Sequence, residues 1–133
     1  MSYTNNPTSI LAGAGITVAP TTGTGANTIT ISSSGVQAVA VRIAVATPIT
    51  VSGTTDDVVA VQVPGPVAVA VNLPAGVTGK QITIKDGLGL AAPATPITIT
   101  PAAGTIDGAA TATINAPFGS LTLVFDGAQW ILV

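Results

Sequence analysis

The chain predicts an all-β protein: a compact antiparallel β-sandwich or jelly-roll-like domain preceded by an extended Gly/Thr-rich N-terminal arm. Three observations carry that expectation. Apolar residues alternate with period two wherever a period is visible, which is the signature of strands. Breaks at Pro64-Gly65-Pro66, Pro74-Ala75-Gly76, 91–96, 101–104 and Pro117-Phe118-Gly119 recur at the interval typical of sandwich strands. Helix is opposed throughout, because each Ala is surrounded by Val, Ile and Thr and the 10 prolines recur too often for a long helix.

The 133 residues suit one domain with an arm, divided here as 1–35 and 36–133. The arm is rich in Gly, Thr, Ser and Asn, with short strands expected at 16–18 and 28–32. The next strand, 36–46, puts Val39, Val41, Ile43 and Val45 on one face and Ala38, Ala40, Arg42 and Ala44 on the other. Both faces are largely apolar, so one is expected in the core and one in a subunit contact. Strands at 49–51 and 58–63 follow, the second stopped by Pro64. Across 67–73, Val67, Val69, Val71 and Leu73 oppose Ala68 and Ala70. Further strands are expected at 81–86, 97–100 and 110–114. The final hairpin joins 120–125 to 129–133 through Asp126-Gly127, a dipeptide suited to a tight reversal with positive φ.

Only 6% of residues are charged, three basic and five acidic, against about 25% in ordinary soluble domains. A compact monomer of this mass exposes roughly 6,000 Å², so eight charges leave a surface of Thr, Ser, Ala and backbone. Such a surface predicts a homo-oligomer or a place in a larger assembly. A net charge of −2 with three scattered cations offers no footprint for a phosphate backbone, so nucleic acid is not an expected partner. Nor is a membrane. Arg42 and Pro48 interrupt the apolar stretch 36–51, Pro64-Gly65-Pro66 divides 58–73, and residues 1–7 lack the pattern of a secretory signal.

His, Cys and Glu are all missing, which removes the commonest bases, nucleophile activators and metal ligands. Asp86, Asp107 and Asp126 each precede Gly, and a turn explains all three. Asp56-Asp57 lacks the spaced oxygen ligands of a calcium loop and reads as a strand-entry turn. Gly13-Ala14-Gly15 lacks the remainder of any phosphate loop. Trp130, followed by Ile131, Leu132 and Val133, suits a core anchor better than a sugar platform, and Tyr3, Phe118 and Phe125 form no defensible patch. The sequence therefore predicts no enzyme, no cofactor, and no catalytic, cofactor-binding or metal-ligating residue. Arg42 is the oddity in an apolar strand. It either pairs with an Asp or a backbone carbonyl at a subunit contact, or guards a solvent-facing edge against unwanted strand pairing.

The wording of the last third is distinctive: Ile82-Thr83-Ile84-Lys85-Asp86-Gly87, Ile97-Thr98-Ile99-Thr100-Pro101, Thr105-Ile106-Asp107-Gly108, and Leu121-Thr122-Leu123-Val124-Phe125-Asp126-Gly127-Ala128-Gln129-Trp130. It resembles a module found at the ends of tailed-bacteriophage tail fibres and in phage capsid-decoration proteins. The segments 9–18 and 27–35 are similar to repeats that wind into trimers in phage fibres. The resemblance implies a virion structural protein, all-β and trimeric, and it carries over no site residues. A fibre usually has an attachment domain and a longer shaft, whereas a capsid cement protein is as small as 133 residues. The leading expectation is thus a cement or decoration protein on the capsid surface that binds the major capsid protein. The alternative is a tail fibre or tip that offers loops at 91–96 or 102–104 to a host glycan.

Overall fold

Among the described residues eleven short strands make up the regular structure, and each overlaps a segment where a strand is expected, the first two running one or two residues past it. The structure, a computed structural model, describes residues 16–20, 29–33 and 38–133. The chain divides into two compact units between Ala38 and Val39. In the first, β1 (Ile16–Pro20) and β2 (Ile29–Ser33) pair antiparallel, with Ile16 opposite Ser33 and Pro20 opposite Ile29.

The second unit holds β3 (Val41–Ala44), β4 (Ile49–Thr50), β5 (Val58–Val61), β6 (Val69–Asn72), β7 (Gln81–Asp86), β8 (Ile97–Thr100), β9 (Ala112–Ile114), β10 (Ser120–Phe125) and β11 (Trp130–Leu132). Two sheets result, one in the order β11-β10-β7-β5-β3 and one in the order β4-β6-β8-β9. No helix occurs among the described residues.

The expected antiparallel arrangement is corrected here. From β3 to β8 the chain alternates between the sheets, so each strand is laid down beside the one two before it. The pairs β3–β5, β5–β7, β4–β6 and β6–β8 are all parallel. Parallel neighbours need a crossover between them, and here a strand of the other sheet supplies it. Within this unit antiparallel strand pairs appear only towards the C-terminal end, in β8–β9, β7–β10 and β10–β11. The sheets are mixed. Alternation along a strand specifies which residues face inward and is silent on strand direction, so the sequence pattern was equally compatible with both.

The inward residues of both sheets make one apolar core. Val59, Val61, Ile82, Ile84, Leu123 and Trp130 come from the first sheet, and Ile49, Val69, Val71, Ile97, Ile99 and Ile114 from the second. The alternation is sharpest in β7, where Ile82, Ile84 and Asp86 are buried while Gln81 is exposed. In β6, Val69 and Val71 face in and Ala70 faces out.

The Asp-Gly dipeptides fold in three different ways. Ile106 and Ala109 exchange both backbone hydrogen bonds around Asp107 (φ 47°) and Gly108 (φ 79°), a reversal that needs two positive φ angles. Asp126-Gly127 begins a longer loop, because Phe125 pairs with Trp130; Gly127 has φ 111°, and the Asp126 carboxylate accepts N–H groups from Ala128 and Gln129. At Asp86-Gly87 neither residue has a positive φ. Glycine is required there by close approach: a Cβ on Gly87 would sit 2.9 Å from the Gln62 side chain and 3.1 Å from the Val61 carbonyl oxygen.

Candidate functional site

The polar candidates come first, because any chemistry would have to draw on them. Asp86 lies at the end of β7 on the inward face and is 2% exposed. Its Oδ1 accepts the N–H groups of Leu88 and Gly89, and its Oδ2 those of Ala91 and Phe118. One carboxylate thus fastens the loop after β7 and the loop before β10 to a single point. Burial pushes the carboxyl up, but the N–H bonds from Ala91, Phe118 and Leu88 outweigh it and hold Asp86 below the ordinary carboxylate value. The turn expected at this residue is present, as the bonds to Leu88 and Gly89. The wider role comes from its burial.

Asp56 is also buried. Arg42 reaches it from β3 with Nε 3.1 Å from Oδ1 and 3.0 Å from Oδ2, and with Nη2 2.9 Å from Oδ2. The Ser52 N–H donates to Oδ2 at 2.8 Å, and Arg42 Nη2 also donates to the Thr50 carbonyl at 2.9 Å. Both partners foreseen for Arg42, an Asp and a backbone carbonyl, are therefore present, and both lie within its own chain. Among the described residues Arg42 stands on an edge strand of its sheet, but its side chain is held by Asp56 and the Thr50 carbonyl rather than set out along the edge as a guard.

Asp57 next door accepts Lys80 Nζ at 2.7 Å and the Ala40 N–H at 3.0 Å. Those bonds, Lys80's first, hold its carboxyl below the ordinary value. Asp126 is lowered likewise, by the N–H groups of Gln129 and Ala128. Asp107 receives the Leu132 N–H. Lys85 Nζ donates to the Phe118 carbonyl and lies 6.0 Å from the centre of that ring. All eight charged side chains are thus engaged with the backbone or with one another.

Trp130 is fully buried and meets Phe125 edge-on with ring centroids 5.4 Å apart, as a core anchor. Gly13-Ala14-Gly15 and Tyr3 lie outside the described residues. Among the described residues no group of three Asp, Glu, His or Cys side chains is placed to hold a metal ion, and no helix is long and apolar enough to cross a membrane. A narrow cleft between β5–β7 and β6–β8, lined by Val61, Val69, Asp86 and Ile97, is of about the size of one water molecule.

The feature left over is apolar. Val39, Val41, Ile43 and Val45 all point outward, 64%, 64%, 59% and 64% exposed, while Ala44 packs into the core. The strand expected to be covered on both faces has, among the described residues, only its Ala44 side covered. Sequence alternation identified the two faces, but not which was inward. On the smaller Ala face, which turns in, Arg42 is met by Asp56 and the Thr50 carbonyl. No protein-family model matches the chain, and no curated protein matches it significantly.

Proposed function

We propose that this chain is a structural protein of a tailed-phage virion, a capsid cement or decoration protein that bridges major capsid protein subunits as a homo-oligomer, most simply a trimer. The observation that carries the proposal is the outward apolar row on β3, in a unit whose charged side chains are all committed to internal contacts. A surface of that kind gains free energy by being covered. Each seated copy would remove apolar area from water across a subunit seam, at about 25 cal/mol per Å². Preference for the mature shell then stabilises that shell by mass action. The expected partners are further copies of the chain and the capsid subunit. Neither nucleic acid nor a membrane has a part in this reading.

A second reading, a tail fibre or tip, is favoured by one specific observation. The parallel stacks β3–β5–β7 and β4–β6–β8 have the form of a winding shaft that ends in the antiparallel strands β9 to β11. A host-surface glycan would be a partner only in this case. The test is to add purified protein to shells that lack it and follow their rupture on heating. A rise in rupture temperature that saturates with added protein supports the cement reading; no rise, together with binding to host cells, favours the fibre.

A further inference from the structure

We infer that the outward face of β3 is the contact through which copies of this chain join one another. The inference rests on the assembly reading above and names its surface.

Four consecutive outward positions, Val39, Val41, Ile43 and Val45, are each more than half exposed. The parallel register sets Val41 beside Val58 and Ile43 beside Ala60, which widens the apolar row by one strand. One strand further, Thr83 and Lys85 of β7 follow in the same register, and Thr83 is hydrogen-bonded to Thr122 of β10. The patch is therefore bounded, apolar at the β3 edge and polar towards the centre of the sheet. Among the described residues only β5 pairs with β3. The Ala40 and Ala44 carbonyls accept N–H groups from the β5 side. In a parallel pair alternate residues bond to one neighbour, so the backbone groups of Val41 and Ile43 face the other edge.

The outward face of this edge strand carries no charge or proline from Val39 to Val45. Natural edges are blunted by charge, proline, a bulge or short length, and here only the four-residue length of β3 and an inward charge serve. The one charge on β3, Arg42, is turned to the opposite face and held by Asp56 and the Thr50 carbonyl. The patch offers nothing for a charged partner to recognise. What fits a row of alternating β-branched side chains is another such row, and every copy brings one. The four residues together present about 400 Å² of surface, most of it apolar, at the scale of the largest patch on a typical monomer. That is about half of the ~800 Å² per partner of a standard interface, with Val58, Ala60 and the open strand edge adding to it.

The test uses the full chain, measured by light scattering during size-exclusion chromatography from about 1 to 100 µM, a range spanning moderate affinities. The chain is expected to be oligomeric at the upper end. Val41→Thr with Ile43→Thr keeps β-branching and strand propensity while removing apolar surface, and should raise the half-assembly concentration at least tenfold. Val77→Thr, 68% exposed but outside the row, should leave it unchanged. A second measurement does not depend on those variants. The chain has no cysteine, so Ile43→Cys should join copies through a short bis-maleimide and Val77→Cys should not. A wild-type chain that is monomeric at 100 µM, an oligomer indifferent to both threonines, or equal cross-linking at both sites overturns the inference. Shells that are still stabilised by a monomeric chain would leave the assembly reading standing while this one falls.

Discussion

Asp86→Asn should be among the most damaging isosteric changes available in this chain. The wild-type carboxylate accepts four N–H groups and faces no acceptor: Leu88 and Gly89 on one oxygen, Ala91 and Phe118 on the other. An asparagine keeps one oxygen and replaces the other with an NH2 group. Either orientation satisfies one pair of N–H groups and points donors at the other pair. Hydrogen bonds to a charged group contribute about 1.5–3 kcal/mol each, so losing two at a site 2% exposed costs about 3–6 kcal/mol. Against a total of about 5–15 kcal/mol for a domain, that is a large fraction. The melting temperature should fall by at least about 12 °C at this size. Urea unfolding followed through Trp130, the single tryptophan and fully buried, reads the change directly. A variant within about 1 kcal/mol of wild type, well inside the expected loss, would refute the account of Asp86 as the fastening point of two loops.

Acid should act through the same residue. Asp86, Asp57 and Asp126 all have folded values below their ordinary one of 3.8, so their stabilisation is present above about pH 4 and is lost as pH falls through the folded values; acid titration of the unfolding midpoint should show this, with a smaller loss in Asp86→Asn. Arg42→Ala leaves the buried Asp56 carboxylate with the Ser52 N–H alone. With Arg42 38% exposed, the expected cost is about 2 kcal/mol, below the 3–5 of a fully buried pair, and adding Asp56→Ala should cost little more in a double-mutant cycle. Gly76→Ala would place a methyl group in the ring of Phe125, costing about 1–3 kcal/mol by overpacking and shifting the emission of Trp130, which Phe125 meets edge-on.

The strands were legible because period-two alternation is a local property: β7, β8 and β10 lie where Gln81–Asp86, Ile97–Thr100 and Ser120–Phe125 alternate. The parallel winding was not, since a strand that pairs with the one two before it has the same local pattern as one in a hairpin. The buried role of Asp86 was partly legible. It stands two and four residues after Ile84 and Ile82, on the same face of the same strand, and that register outweighs the turn signal of Asp-Gly. The Arg42–Asp56 pair required knowing that β3 and the loop before β5 meet, which the parallel register alone establishes. The outward face of β3 was ambiguous because Val and Ala are both apolar, and the bonds of Arg42 to Asp56 and the Thr50 carbonyl on the inward side are long-range or backbone contacts that alternation does not encode.

The central claim, that this chain is a structural part of a virion shell, is tested most directly by its copy number in purified particles, measured by quantitative mass spectrometry against the major capsid protein. The account predicts a number comparable to that of the shell subunit. A number in the range of tail proteins, or absence from the particle, would contradict it.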